Sequence, residues 1–431
     1  MVLLTSLVLF YLLVPLLLIY FCKISPFLKR VGAVVLAYAV GLISGNTGVI
    51  PTPGPVLRHF LKSDPSLAKD VIIKYIATGD LTQHDYLINQ VLNLQDLFTT
   101  ITILIAIPLL LFSLDLRKWL KLAKGAVLSL TLALISLIIA VFIGFYLFHA
   151  GIEKSLGTEQ SADVAGMLVG VYTGGTANLA AIGKSLKVST ETYIITHTSD
   201  LIIGSVALLF LMTVAQRLFH TFLPKFGVIH KAENLMQLEE ENNDMENFDS
   251  LFQRKGVPDI LKALGISVII VVVGIGVSFL FNKDFQTMVA ILTITTLGLA
   301  ASLNSRIYKL RNSFQLGMYL IIAFSLAVSS LANISHMITN FDSVEYIFFY
   351  VAFVVLVSMA IHVGLSRIFH VDADTTIIAI TALTYSPPFV PTVASAIKNK
   401  NVIISGLAIG ILGYAFGTYL GIVIGELLGT S

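Results

Sequence analysis

The sequence predicts an all-α polytopic membrane protein, and three observations lead to that fold class. Hydrophobic residues make up 56% of the chain and charged residues only 12%, with a mean hydropathy of +0.89. A soluble globular domain carries about 25% charged residues. Apolar stretches of about 20 residues, the length that crosses a bilayer as a helix, recur along the whole chain. The lipid bilayer is therefore the expected surrounding of this protein.

Charge and cysteine content exclude several other classes. The formal net charge is +2, and no basic stretch is interleaved with aromatic residues, so we expect no nucleic-acid partner. Cys22 is the one cysteine, which excludes a disulfide framework and a cysteine-based metal site. The sequence also lacks the HExxH spacing of a catalytic zinc site. We expect neither an enzyme nor a bound cofactor.

Hydropathy predicts roughly twelve apolar segments. The first is followed, rather than preceded, by basic residues, so we interpret it as a retained helix and not as a secretory signal. The segments span residues 3–22, 31–48, 96–114, 125–149, 161–185, 193–219, 260–281, 286–303, 314–336, 344–366, 373–397 and 401–427.

Two hydrophilic stretches divide the chain. Residues 51–93 are rich in proline and carry both signs of charge, which favours a folded extramembrane cap or a surface helix. Residues 224–258 contain a run of acidic residues, which is typical of a solvated linker; docking of a partner is the alternative. The predicted organisation is an N-terminal repeat at 1–223 and a C-terminal repeat at 259–431, joined by this linker.

The two halves follow the same order of about six segments, and the fifth segment of each is interrupted. Gly174 and Gly175 interrupt the first half, and Pro387 and Pro388 stand at the corresponding place in the second. Inside a helix, each Gly costs about 1 kcal/mol and each Pro about 3 kcal/mol relative to Ala. We therefore predict that the fifth segment of each half is a broken helix.

A broken segment either crosses the bilayer or enters and returns as a re-entrant hairpin, and the distribution of positive charge bears on the choice. If all segments cross, the loop with Arg306, Lys309 and Arg311 lies opposite the other basic loops. If segments five and eleven are re-entrant, these loops share one side, as the positive-inside rule requires. Re-entrant hairpins are favoured, and five crossings per half then make the halves inverted repeats.

The two breaks are candidate binding sites, because lipid offers no partner for backbone groups that leave a helix. Half-helix ends suit an anion, while carbonyl and hydroxyl oxygens suit a small cation. The alternative is that the glycines only allow close helix packing. The candidate substrate-binding residues here are Thr173, Gly174, Gly175, Thr176 and Asn178 at the first break, and Tyr385, Ser386, Pro387 and Pro388 at the second.

Asp200 lies inside the sixth apolar segment, where a carboxylate costs about 2.5 to 3.5 kcal/mol on insertion scales. Such a residue usually faces a cavity or a partner. We predict an ion-binding site formed by Asp200 with Thr198 and Ser199, for sodium or for a proton; a structural pairing is the alternative. His197 is interpreted as a packing residue.

Two further groups of polar residues have simpler interpretations. Ser329 and Asn333 belong to a polar stripe on the ninth helix, which either lines the substrate pathway or bonds to neighbouring helices. Asp372 and Asp374 open the eleventh segment, where acidic residues satisfy exposed amides and favour the helix dipole. We therefore interpret both aspartates as caps.

Three motifs resemble the bacterial YjcL-type membrane-protein family, and the likeness runs along nearly the whole chain. They are residues 172–178 (YTGGTAN), 372–376 (DADTT) and 413–419 (GYAFGTY). That family is distantly similar to the superfamily of sodium/glutamate, 2-hydroxycarboxylate and bile-acid-type symporters and cation/proton antiporters. The resemblance implies that paired glycines at opposed hairpins bind substrate and sodium, and it implies an elevator-like motion in a homodimer. The proline pair at the second tip departs from that pattern.

The expected function is secondary active transport in the bacterial inner membrane. A sodium or proton gradient would drive a small, anionic organic solute, and sodium is the one metal expected, as a coupling ion. One alternative is a cation/proton antiporter in which Asp200 exchanges protons for sodium. Another is a membrane scaffold or sensor that signals through the acidic linker.

Overall fold

The structure is a computed structural model, and it describes most of the chain. The described residues are 2–25, 28, 32–61, 66–112, 127–157, 160–226, 248, 256–283, 286–308, 310, 312–331, 341–385 and 387–430. Every regular element within these ranges is a helix, so the predicted all-α class is confirmed. Most of the predicted linker 224–258 lies outside the described residues, as do Ser386 and Asn333.

The α-helices are numbered here in chain order. They are α1 (Val2–Ile24), α2 (Ala33–Asn46), α3 (Pro55–Leu61), α4 (Lys69–Thr78), α5 (Gln83–Phe112), α6 (Val127–Leu156), α7 (Gln160–Ser185), α8 (Thr190–Thr213), α9 (Ala215–Phe219), α10 (Val257–Ser278), α11 (Gln286–Ser302), α12 (Ser305–Tyr308), α13 (Ser313–Ser329), α14 (Phe341–Ile368), α15 (Ala373–Thr384), α16 (Val390–Ala396) and α17 (Ile403–Gly429). Short 3-10 helices cover Pro387–Phe389 and Lys400–Val402.

Eight of these helices are long and apolar enough to cross a membrane, and four shorter helices are apolar as well. Each predicted apolar segment coincides with one of these twelve, which confirms a multi-pass membrane protein. Leucine, isoleucine and valine side chains remain exposed on α1, α6, α10 and α14, the surface expected of helices that face lipid.

The largest difference in boundaries concerns α5, which begins at Gln83 although the apolar segment was predicted from residue 96. A reciprocal cap sets this start: the Asp85 amide donates to Thr82 Oγ1 at 3.2 Å, and the Thr82 amide donates to Asp85 Oδ2 at 2.9 Å. Such a capping arrangement starts a helix whatever the hydropathy of the turns that follow. Hydropathy therefore located the apolar part of the helix and not its beginning.

One compact unit comprises residues 1–106, 189–194 and 318–341. Its stretch between α2 and α5 is folded, with Leu57, Ile72 and Leu81 in a buried apolar cluster. A buried polar group lies farther along α5: Gln95 Nε2 donates to Tyr11 Oη at 2.8 Å and to Ser330 Oγ at 3.0 Å. This unit also contains a cavity of about 340 Å³ lined in part by Arg58, Gln95 and Ser330.

The second unit comprises residues 107–188, 195–317 and 342–431. Its core includes α7 and α15, whose residues are almost all buried, and α17, most of whose residues are buried. Each unit combines segments from both predicted repeats. The two compact units therefore do not correspond to the predicted repeats 1–223 and 259–431. The repeat boundaries stay a prediction.

Candidate functional site

The predicted first break is present within α7. Gly175 has φ 70° and ψ −162°, dihedrals that do not belong to a helix. This region of backbone space is essentially restricted to glycine, because a Cβ atom would collide with the neighbouring peptide. The interruption that the glycine pair predicted therefore falls at Gly175.

The chain reverses at this break, so that α7 is a helical hairpin. A side chain added to Gly170 would overlap Ile182, and one added to Gly166 would lie 3.1 Å from Cδ1 of Leu186. In a continuous helix, residues 166 and 186 would be about 30 Å apart. These contacts require two antiparallel legs with a tip near Gly175. We name this segment, Gln160–Ser185, hairpin 1.

The second predicted break produces a corresponding reversal. The helix α15 ends at Thr384, the 3-10 turn Pro387–Phe389 follows, and α16 runs on from it. Residues before the turn and residues in or after it approach the same glycines of α17. The side chains of Ile378 and Val390 meet at Gly406, and the Ala382 carbonyl and the Pro387 side chain meet at Gly410. Residues 373–396 therefore fold back on themselves and form hairpin 2.

Both hairpins pack along α17, and their tips meet there. From the end of α17 toward its middle, Gly425, Gly421 and Gly417 contact hairpin 1 progressively closer to its tip. From the beginning of α17, Gly406 and then Gly410 contact hairpin 2. Gly413 lies between these stretches, and a side chain there would overlap the Thr173 carbonyl of hairpin 1 and lie 2.8 Å from Leu383 Cδ2 of hairpin 2.

The hairpins can approach α17 this closely because glycines on one face of α17 carry no side chain. Gly413, Gly417, Gly421, Gly425 and Gly429 recur every four residues and therefore form one face of the helix. Small residues at this spacing let helix backbones come close together in membranes. The predicted alternative role of glycine, close packing, thus applies to α17, whereas Gly175 makes the turn.

The second legs of the two hairpins end in the same way. Lys187 and Lys398 both have φ 57°, in the left-handed region. The next amide bonds to the carbonyl five residues back in each case, Val188 to Gly183 and Asn399 to Ala394, both at 2.9 Å. This is the Schellman pattern of helix termination. The two breaks therefore share their fold-back and their ending.

The polar residues predicted at the first tip are buried, and some are used locally. Thr173 Oγ1 donates to the Val169 carbonyl at 2.7 Å, so this hydroxyl is used within its own leg. Asn178 is 5% exposed and contacts Gly174 and Gly417, and its Nδ2 has no hydrogen-bond partner among the described residues. Thr176 is half-buried. Asn178 is thus the predicted tip residue with a buried amide group that lacks a hydrogen-bond partner among the described residues.

Asp200 lies on α8 beside both tips. Its side chain is 12% exposed, and His197 Nδ1 lies 4.0 Å from Oδ2. The Tyr172 hydroxyl of hairpin 1 faces the carboxylate and makes no hydrogen bond of standard geometry. Tyr385 of hairpin 2 donates to the Gly204 carbonyl at 2.8 Å, one turn of α8 beyond Asp200. The two hairpins therefore each place a tyrosine next to this carboxylate.

The fold brings two side chains to Asp200 that were not among its predicted partners. Thr198 and Ser199 precede it by two and one positions, and residues at these spacings do not face each other on a helix. Their role as ion ligands with Asp200 stays a prediction. Tyr172 and His197 are the side chains that the fold brings to the carboxylate. The spacing of three between His197 and Asp200 was the sequence signal that could have paired them.

A small cavity lies beside the tips. Its volume is about 30 Å³, and Tyr172, Thr384 and Tyr385 line it together with residues of α6 and α14 such as His362. A water molecule needs about 10 to 15 Å³ of such space. Pockets for organic ligands usually have about 300 to 1,000 Å³. In this conformation, the cavity accommodates a water molecule or an ion and no organic solute.

Ser329 makes its contacts within the other compact unit. Its hydroxyl donates to the Ser325 carbonyl at 2.7 Å, and the side chain packs on Gly41 of α2. Its predicted partner Asn333 lies outside the described residues. Of the two interpretations of this stripe, these contacts correspond to helix packing. A role in the substrate pathway stays a prediction.

Together, these features define a polytopic α-helical membrane protein in which two broken helices converge on a buried carboxylate. The chain belongs to the family described as "Protein of unknown function (DUF819)", whose profile matches residues 71–430. It is also similar to a protein named "Uncharacterized membrane protein YjcL" from Bacillus subtilis (strain 168). The two are 20% identical over 409 residues, which cover 92% of this chain and 90% of that protein. The resemblance inferred from the motifs is confirmed, and the link to the symporter superfamily stays a prediction.

Proposed function

We propose that this protein is a secondary active transporter that uses a sodium or proton gradient to move a small, anionic organic solute. The observation that carries the proposal is the meeting of the two hairpin tips at Gly413, with Tyr172 of hairpin 1 and Tyr385 of hairpin 2 beside Asp200. Broken helices at membrane depth are tolerated where they are buried in protein or line a cavity. In secondary transporters, such breaks supply helix ends and free carbonyls to substrate and coupling ion.

In this proposal the hairpins are re-entrant and the two halves are inverted repeats. The support is that hairpin 1 runs along α17 from its end and hairpin 2 from its beginning, so their tips point toward each other. The superfamily resemblance supports an elevator-like motion and a homodimer in this proposal, and the proposed location is the bacterial inner membrane. The protein would move its substrate without converting it, and sodium would be its only metal.

A second candidate function is cation/proton antiport without an organic cargo. The size of the cavity favours it, since about 30 Å³ suits an ion or water. Asp200 would then bind the two ions alternately, with Tyr172 and His197 as its neighbours. Organic-solute transport requires instead that the tips separate to enlarge the site in another conformation.

Transport by the purified protein in proteoliposomes separates these functions. Symport is expected to give uptake of an organic acid that requires an inward sodium or proton gradient. Antiport is expected to change the luminal pH when sodium alone is supplied. A thermal-shift screen of organic acids with and without sodium would select the solutes to test, because a ligand stabilises the state that it binds. If vesicles that contain intact protein show neither activity, the proposal is rejected.

The orientation of the hairpins has its own test. Single cysteines at Lys187 and Lys398, in a Cys22→Ser background, mark the ends of the two second legs, and both positions are exposed. Re-entrant hairpins from opposite faces predict labelling of Lys187→Cys from outside and of Lys398→Cys from inside. Labelling of both from one face would contradict the inverted arrangement and favour crossing helices.

A further inference from the structure

The acidic motif 372–376 contains two aspartates with different partners. Asp372 caps α15, since its carboxylate accepts the Thr375 amide at 2.8 Å and the Thr375 hydroxyl at 2.7 Å. This is the role that the sequence predicted for both aspartates. Asp374 is 5% exposed and forms hydrogen bonds to other elements, so helix capping does not account for it.

Asp374, at the beginning of hairpin 2, is bonded to Asn399, which follows the second leg, and to Gln216 of α9. Its Oδ2 accepts from Asn399 Nδ2 at 2.7 Å, and its Oδ1 accepts from Gln216 Nε2 at 2.9 Å. The same Gln216 amide donates to the Ile397 carbonyl at 2.9 Å. Asp374 lies in the first turn of hairpin 2, while Ile397 and Asn399 directly follow its second leg. Gln216 therefore holds the two legs together at their base.

The surroundings of this clamp include a titratable group, His220. His220 Nε2 lies 3.6 Å from Asp374 Oδ1, beyond hydrogen-bond distance, and the His220 side chain is 27% exposed. Nearby, the Ala373 amide donates to the Pro224 carbonyl at 3.0 Å, and Arg367 donates to the Phe222 carbonyl at 2.8 Å. The base of hairpin 2 is thus fixed to the chain that leads into the acidic linker.

The tip and the base of hairpin 2 are attached to the same stretch of chain. At the tip, Tyr385 bonds to Gly204 of α8, and at the base, Asp374 bonds to Gln216 of α9. At 1.5 Å per residue, residues 204–216 span about 18 Å and residues 374–385 about 17 Å. The lengths match, so α15 can be fastened at both ends to this stretch, to α8 near the tip and to α9 at the base.

We propose that Asp374 is a positioning residue that clamps both legs of hairpin 2 to Gln216 and so holds the tip, with Tyr385, beside Asp200. A hydrogen bond to a charged group is among the stronger ones in proteins, and a buried carboxylate deprived of its donors is strongly disfavoured. The clamp therefore resists separation of the two legs. A role of this tip in transport rests on the proposed function. The position of the tip can be measured without a transport assay.

A cysteine at Thr384, in a Cys22→Ser background, reports the position of the tip. Thr384 is half-buried beside the cavity, so its reaction with a water-soluble maleimide depends on local opening of the hairpin. Asp374→Asn keeps the shape of the side chain but sets an amide NH₂ group against that of Asn399 or Gln216. We expect labelling about tenfold faster, which corresponds to about 1.4 kcal/mol.

A compensating variant and a matched control separate the clamp from general destabilisation. Adding Asn399→Asp to Asp374→Asn exchanges the carboxylate and the amide, so slow labelling should return. Asp372→Ala removes the cap at the same end of α15 and leaves the clamp donors in place, so its labelling rate should stay within about twofold of the parent.

The proposal is overturned if Asp374→Asn labels at the parent rate, if the exchange fails to restore slow labelling, or if Asp372→Ala accelerates labelling as much. Should Asp374→Asn not fold, Gln216→Leu frees the legs from α9 and should also accelerate labelling. An unchanged labelling rate in Gln216→Leu would overturn the proposal as well. Labelling as expected without ion-coupled transport would reject the proposed function alone. Intact transport with unchanged labelling would reject the clamp alone.

Discussion

Hairpin 1 and hairpin 2 have the same shape but are built with different chemistry. Hairpin 1 turns at Gly175 in a backbone conformation open only to glycine, and it packs on the glycine face of α17. Hairpin 2 turns through Pro387–Phe389 in a 3-10 turn, and Asp374 fastens its base through side-chain hydrogen bonds. The fold-back thus depends on a helix break and a close neighbour, and not on one particular residue.

The two hairpins are also expected to differ in mobility. Hairpin 1 is held by interdigitated packing, which is lost as a whole when a backbone is displaced. Hairpin 2 packs on α17 over a shorter stretch, at Gly406 and Gly410, and it is held in addition by a few discrete bonds at its base and tip, which can open one at a time. We expect hairpin 2 to move more readily when the site opens.

The largest expected effect concerns Asp200, which faces both tips. Asp200→Asn should abolish the dependence of transport on sodium or pH, because the carboxamide cannot carry the charge that binds the ion. The measurement is uptake into proteoliposomes with and without the gradient. Glu191→Gln, in the first turn of the same helix, is the matched control and should retain the dependence. An unchanged ion response in Asp200→Asn would show that the Asp200 carboxylate has a structural role and does not bind the coupling ion.

The meeting point of the hairpins should be the most sensitive position for stability. In Gly413→Ala, the new methyl group overlaps the Thr173 carbonyl, a backbone atom that cannot rotate away. We expect a loss of about 3 kcal/mol, the upper end for overpacking, measured as a lowered melting temperature in detergent. At Gly429, a Cβ atom would lie 3.8 Å from Ala162 Cβ, so Gly429→Ala should be nearly neutral. Equal stability of both variants would contradict convergence at Gly413.

The turn of hairpin 1 should respond to loss of its glycine. Gly175→Ala forces a side chain into a backbone region that costs about 1 to 3 kcal/mol, so the melting temperature should fall and the tip should shift. The control is Gly265→Ala, where a helical glycine has no atom within 4 Å of the new methyl group. That variant should be neutral or slightly stabilising. A Gly175→Ala protein as stable as the parent would mean that the turn adopts another conformation.

The smallest expected effect distinguishes the two tyrosines. Tyr385→Phe removes the hydrogen bond to Gly204 and should cost about 0.5 to 1.5 kcal/mol. Tyr172→Phe removes a buried hydroxyl that faces Asp200 without a hydrogen bond of standard geometry, so the stability should stay equal or rise. Chemical denaturation of both variants measures the difference. A larger loss for Tyr172→Phe would show that its hydroxyl bonds to Asp200 in solution.

The helices and the positions of the breaks could be predicted because they depend on local properties. Hydropathy over about 20 residues identifies a membrane segment without knowledge of its neighbours. The glycine pair predicted the interruption at Gly175, since helix propensity is a property of the residue itself. The cap formed by Asp372 is equally local, because donor and acceptor are three residues apart.

The structure decided how these local features are combined. Asp374 was interpreted as a second cap, but its partners Gln216 and Asn399 are distant in sequence, and only folding brings them together. The same holds for Tyr172 and Tyr385 beside Asp200, where sequence proximity had suggested Thr198 and Ser199. Ser329 lay on a polar stripe whose direction depends on which helix packs against it, here Gly41 of α2.

The sequence alone thus determined that this is a polytopic helical membrane protein with two interrupted segments and a carboxylate within an apolar span. Hydropathy, helix propensity and charge are properties of short stretches, and they suffice for these conclusions. The tertiary structure decided that both segments fold back, that their tips meet on the glycines of α17, and which side chains surround Asp200. The charge distribution had favoured the fold-back, and the spacing of three could have paired His197 with Asp200. The meeting of the tips on α17 and the approach of Tyr172 and Tyr385 to Asp200 depend on contacts between residues far apart in the chain.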